Sequence, residues 1–151
     1  NGFKQGKREF LRADLLLMGC MFIPMLICTI VPNGISLDMR PDFATLGRDN
    51  FAISLVKLIY AVDTPARNVM PSMHASVSVA LAFAVWQTKT LKGKTVIKIA
   101  LTLLSVAVIL ATTFIKQHSA LDAIVGTLLG IAVGVAVKIG ENIYNKKKSG
   151  C

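Results

Sequence analysis

The chain contains two histidines, His74 and His118, and each stands where an apolar run begins. The first belongs to the stretch Arg67-Asn68-Val69-Met70-Pro71-Ser72-Met73-His74, in which a Pro-Ser turn leads into an apolar segment. The second belongs to Lys116-Gln117-His118-Ser119-Ala120-Leu121-Asp122. On a helix, His118 and Asp122 at i and i+4 share a face. An aspartate that accepts the proton of one ring nitrogen fixes the tautomer and leaves the other nitrogen basic. An imidazole held this way can act as a nucleophile. A second imidazole, His74, can supply the proton that a leaving group needs. Taken alone, the His118–Asp122 pair reads more readily as a helix-capping aspartate beside an incidental histidine, and His74 as an interfacial histidine satisfied by backbone.

Cations tip the balance toward a site. A transferring phosphoryl group spreads charge over several oxygens, which cationic side chains and amides stabilise. Arg40, Arg67 and Lys116 are candidate phosphate ligands, and Ser72 adds a hydroxyl or an amide at a helix N-terminus, where anions bind readily. Each cation on its own is a solvated interfacial charge. Asp63 reads as a turn cap or, one turn away, as a partner for Arg67, with the turn cap preferred. Lys57 reads as a side chain that snorkels to an interface.

These clusters require elements that hold them, and those elements are apolar. The 151 residues allow one domain, residues 1–151. At 54% hydrophobic residues and a mean hydropathy of +0.62, the chain is too apolar for a soluble domain of this size. The expected fold is therefore all-α, an integral membrane helical bundle. Four spans are expected, over residues 15–31, 71–87, 96–115 and 120–139, since about 20 apolar residues cross a bilayer. Pro24 is expected to kink the first span, and Pro32-Asn33-Gly34 to end it. The run 51–62 is too short to span and is expected at the interface or tucked against the bundle. In the fourth span Gly126, Gly130 and Gly134 recur every four residues, which suits close helix packing inside the bundle better than a dimer interface.

The net charge of +9 does not signal nucleic acid. The basic residues flank the spans and form no stripe with interleaved aromatics. Four spans place the basic N-terminus, the loop with Lys89, Lys92 and Lys94, and the tail with Lys146, Lys147 and Lys148 on one side, which the positive-inside rule makes cytoplasmic. Arg40, Arg67, His74, Lys116, His118 and Asp122 then converge on the opposite face of the cell membrane. No small-residue cleavage site follows the first apolar run, so it is read as a retained span. The three cysteines, Cys20, Cys28 and Cys151, form no metal spacing and no disulfide framework. No metal or cofactor is expected. Clustering at one face argues against a transporter, whose site is expected near the midplane.

Pro71-Ser72-Met73-His74 and His118-x-x-x-Asp122 resemble the second and third motifs of the type 2 phosphatidic acid phosphatase (PAP2) superfamily, and Arg40-Pro41 resembles the end of its first. Asp63-x-Pro65-x-x-Asn68 and Lys116-Gln117-His118 resemble a bacterial branch related to the inositol phosphorylceramide synthases. The resemblance implies a metal-independent mechanism through a phosphohistidine. It makes His118 the nucleophile, Asp122 its orienting carboxylate, His74 the proton donor, and Arg40 and Ser72 phosphate ligands. It also implies a six-span bundle; four are counted here, so two are expected upstream of Asn1. Three departures stand out. Asn33 occupies the place of a lysine, Met73 that of a glycine, and Ala111-Thr112 that of a Ser-Arg pair. Lys116, one helical turn after Thr112, is expected to substitute for the missing arginine, without its bidentate fork.

The functions that follow are hydrolysis of a lipid phosphate monoester or diphosphate (phosphatidate, phosphatidylglycerol phosphate or polyprenyl diphosphate), transfer of a head group to an alcohol, or non-catalytic binding of anionic lipid. In each case the partners are the membrane and a lipid phosphate within it.

Overall fold

The computed structural model describes residues 2–34, 40–43, 45, 47, 50–63 and 69–149. Among these residues five α-helices follow in order: α1 (Gly2–Ile30), α2 (Phe51–Val62), α3 (Met73–Gln87), α4 (Thr95–Phe114) and α5 (Ala120–Ser149). A short 3-10 turn, Lys89–Leu91, joins α3 to α4. The fold is a helical membrane bundle, with no strand among the described residues.

Among the described residues three helical stretches are long and apolar enough to cross a membrane by length and composition: Gly6–Ile30, Thr95–Phe114 and Ala120–Lys148. The expected second span is shorter than read, because α3 has 15 residues. Pro71 and Ser72 lie outside it: Ser72 is the N-cap and Pro71 precedes it. Even so, α3 runs alongside α1 from end to end. Near its start, Met70 meets Asn33 beyond the end of α1, and at its finish the Gln87 carbonyl accepts from Arg12 at 2.8 Å. Two other helices are longer than expected. The basic segment 2–12 and the tail 140–149 continue α1 and α5, since lysine, arginine and glutamate are good helix formers.

One face of α1 carries Leu16, Cys20, Pro24 and Cys28, spaced by four and buried. Pro24 has no N–H, so the Cys20 carbonyl loses its helical donor. The Ser76 hydroxyl on α3 donates to that carbonyl at 2.9 Å. This matters in hydrocarbon, where an unmet backbone group is costly. Leu16 and Cys20 join Ala80, Ala84 and Val133 as the core. The glycine spacing of α5 works inside the bundle. A Cβ at Gly126 would run into the Ser72 carbonyl oxygen, one at Gly130 would lie 2.8 Å from the Ser76 carbonyl oxygen, and one at Gly134 would press on the Phe83 ring. Small residues thus let α5 lie against the α3 backbone. Outward faces are apolar and exposed, as at Phe22, Leu26, Leu103, Leu104 and Leu128.

The basic segments do gather at one end. Glu9 accepts from the Lys89 amide and the Thr90 hydroxyl, and Arg12 pairs with Glu141 at 3.3 Å. The histidines lie at the opposite end, with Asn33, Met70 and the α4–α5 loop.

Candidate active site

Ser72 sets the first turn of α3. Its hydroxyl accepts from the Ala75 amide at 3.3 Å, and the side chain is fully buried. Its own amide donates to the Asp122 carbonyl at 3.2 Å, which joins the starts of α3 and α5. His74, two residues on, is exposed and reaches across to the loop after α4.

That loop is built by the way α4 ends. Lys116 adopts φ 57°, the left-handed conformation. Its amide bonds to the Thr113 carbonyl, and the Gln117 amide to the Thr112 carbonyl. This is a Schellman stop, with lysine where glycine is usual. The expected helical continuation from Thr112 to Lys116 is therefore corrected: the helix ends at Phe114, and Lys116 lies past it, exposed. The reversal delivers His118 to the bundle interior, 8% exposed.

The two imidazoles meet. His74 Nδ1 lies 3.1 Å from His118 Nε2, with ring centroids 5.3 Å apart in an edge-on arrangement. His118 Nδ1 is buried and makes no well-formed hydrogen bond among the described residues, the Val69 backbone offering only a weak one. Burial, and after it the neighbouring His74, holds the His118 pKa below its ordinary value, against opposing pulls from Asp122, the Val69 backbone and Asp63.

Asp122 is also buried, but no hydrogen bond joins it to His118. Its Oδ2 accepts from the Ser119 amide at 2.8 Å, and its own amide donates to the Ser119 hydroxyl at 3.2 Å. This reciprocal pair is a capping box at the start of α5. The orienting bond expected from the i, i+4 spacing is thus not formed, because His118 precedes the helix and the carboxylate turns to the helix terminus. The pattern Ser119-x-x-Asp122 signalled this cap in the sequence.

Arg40 is held by two groups that sequence reasoning did not pair with it. Its Nη2 lies 2.7 Å from Asp63 Oδ2 and 3.0 Å from the Asp63 carbonyl oxygen, and its guanidinium sits 4.4 Å from the Tyr60 ring centre. Asp63 does cap a turn, at the end of α2, but its carboxylate serves Arg40. The Tyr60 hydroxyl donates to the Ile115 carbonyl, so α2 is tied to the loop that carries His118. Lys57 lies 5.8 Å from the Phe43 ring centre. Arg67 lies outside the described residues.

Asn33, where a lysine was expected, binds backbone. Its Oδ1 accepts from the Val69 and Met70 amides at 2.8 Å each, and its Nδ2 donates to the Met70 carbonyl at 2.7 Å. Nothing in local spacing announced this contact, 37 residues apart in the chain. Among the described residues no group of three or more His, Cys, Asp or Glu side chains is arranged to hold a metal ion.

The structure thus brings together His74 with His118, Ser72 with Asp122, and Arg40 with Asp63, and leaves Lys116 exposed beside them. Neither the curated proteins nor the solved structures contain a significant match to the chain. The family model described as PAP2 superfamily matches residues 14–143, a stretch that includes both histidine motifs and all five helices in whole or part, and the chain belongs to that superfamily.

Proposed function

We propose that this protein is a membrane lipid phosphatase that hydrolyses a lipid phosphate monoester or diphosphate through a phosphohistidine at His118. Membership of the PAP2 superfamily supports an enzyme of the phosphoric ester hydrolase kind. The observation that carries the finer reading is the His74 Nδ1 to His118 Nε2 contact at 3.1 Å. It pairs a buried imidazole, biased toward its neutral form, with a second imidazole at the helix terminus.

In this reading the substrate phosphoryl replaces the direct contact between the rings. His118 Nε2 attacks phosphorus, the bond from phosphorus to the lipid oxygen breaks, and His74 passes its proton to that oxygen. Water then attacks the phosphohistidine while His74 takes a proton from it, and phosphate leaves with His118 restored. Arg40, released from Asp63 or shared with it, neutralises the phosphoryl oxygens. Ser72 contributes through the helix terminus that it caps. Lys116 and Arg67 add positive charge. Asp122 favours the charged form of His118 as the new bond develops and holds the start of α5. No metal takes part in these steps.

The basic end of the bundle is cytoplasmic in this reading, so the site opens at the extracytoplasmic face. The motif residues Asp63, Pro65, Asn68, Lys116 and Gln117 support placement in the branch related to inositol phosphorylceramide synthases. The test offers purified protein a panel of lipid phosphates and head-group alcohols, with and without EDTA, and follows free phosphate and new lipids together. EDTA-resistant phosphate release that His118→Ala abolishes supports the proposal. A new phosphodiester with little free phosphate makes the protein a head-group transferase instead. Silence from folded wild-type protein leaves binding of anionic lipid.

A further inference from the structure

We infer that Asn33, with Cys28, is a positioning clamp that fixes the backbone leading into His74, and that it does not contact the substrate. Asn33 stands three residues beyond the end of α1. Its carboxamide makes three short bonds to two consecutive residues: Oδ1 accepts from the Val69 and Met70 amides, and Nδ2 donates to the Met70 carbonyl. The same carbonyl accepts from Cys28 Sγ at 3.4 Å, and Nδ2 also reaches the Val31 carbonyl at 3.1 Å. Two residues later, the Ser72 amide is bonded to Asp122 from the other side. The segment that enters α3 is therefore pinned between α1 and α5, with His74 at its end.

The chemistry of the side chain fits this task and no cationic one. A carboxamide offers two accepting lone pairs and two donors, whereas an ammonium offers donors only. A lysine at position 33, as in the resembling motif, cannot accept from the Val69 and Met70 amides. Both would lose their partner, and Val69 is buried. Phosphate contact by this residue is also disfavoured, because both ends of its amide are already engaged. Displacing a reacting group by about 1 Å costs on the order of 100-fold in rate, so the clamp acts on turnover through the placement of His74.

The kinetic part of the test rests on the phosphatase reading; the labelling part does not. Full-length wild type, Asn33→Ala, Asn33→Asp and Asn33→Lys are assayed in detergent on the best lipid phosphate. Each is also treated with a small maleimide, and alkylation of Cys28 and Cys20 is located by mass spectrometry. Cys20 lies in the core and reports global unfolding. The expected result is a kcat lower by about 10- to 100-fold in Asn33→Lys and Asn33→Ala with KM nearly unchanged. Cys28 should alkylate faster while Cys20 stays protected. Asn33→Asp keeps the accepting oxygen and falls between, and it carries the test if Asn33→Lys exposes Cys20. An Asn33→Lys enzyme with undiminished kcat and a lower KM would overturn the inference, as would unchanged Cys28 alkylation in all three variants. An inactive wild type would defeat the phosphatase reading instead, and the clamp would then be decided by Cys28 alone.

Discussion

His74 Nδ1 lies 3.1 Å from His118 Nε2, so one hydrogen bond, and one proton between the facing nitrogens, joins the starts of α3 and α5. The two residues are 44 apart in the chain, and two local features bring them together. Ser72 caps the helix that carries one, and a left-handed Lys116 turns the chain toward the other.

The pair predicts the pH profile. A nucleophilic His118 must be neutral, and burial with His74 alongside lowers its pKa from 6.5. The acid limb of kcat/KM should therefore fall at a pH below 6.5, as an apparent value of the coupled pair. The sign for stability agrees. A histidine whose folded pKa is depressed binds fewer protons folded than unfolded, so its contribution is intact above the unfolded value and is lost as pH falls through the folded one. Thermal denaturation in detergent should show weaker protein toward acid pH, with a smaller slope in His118→Ala.

Asp122 and Ser119 separate cap from charge. Ser119→Ala removes half of the capping box and should cost about 1 kcal/mol of stability without moving the acid limb. Asp122→Asn keeps an accepting oxygen for the Ser119 amide but loses the charge that raises the His118 pKa. Its acid limb should shift to lower pH. Kinetic profiles of both variants, beside their melting curves, check this.

A glycine series tests the packing beneath the site. Gly126→Ala places a methyl against the Ser72 carbonyl and should destabilise the protein by about 1–3 kcal/mol while lowering activity. Gly134→Ala meets the Phe83 ring first, which can shift, and should cost less. Gly140→Ala meets nothing within 4 Å and should stabilise α5 by roughly 1 kcal/mol through helix propensity. Melting temperatures and activity of the three variants rank them.

Arg40 tests phosphate binding. Arg40→Lys keeps the charge but loses the planar fork that meets Asp63 and stacks on Tyr60. It should lower kcat/KM by about 10- to 100-fold, read from initial rates on the best substrate.

Much of this fold was legible where a local signal set it. The apolar run 51–62 is α2 to the residue, because Asn50 caps it and Asp63 ends it. The glycines of α5 announced close packing, and two histidine motifs at helix starts announced segments that meet. Other features were hidden for physical reasons. Helices α1 and α5 run on through the charged segments 2–12 and 140–149, beyond the expected spans, since charged side chains do not oppose helix formation. The bonds from Asn33 to Met70 and from Arg40 to Asp63 join distant segments, and no spacing rule encodes them. Asp122 followed the more local of its two options, the cap on Ser119.

In the proposed reaction His118 carries the phosphoryl group. The direct measurement is mass spectrometry of wild-type protein trapped by alkaline quench during turnover of the best lipid phosphate in EDTA. Phosphate is expected on His118, with no label and no turnover in His118→Ala. Continued phosphate release by His118→Ala, or label on another residue, would contradict it.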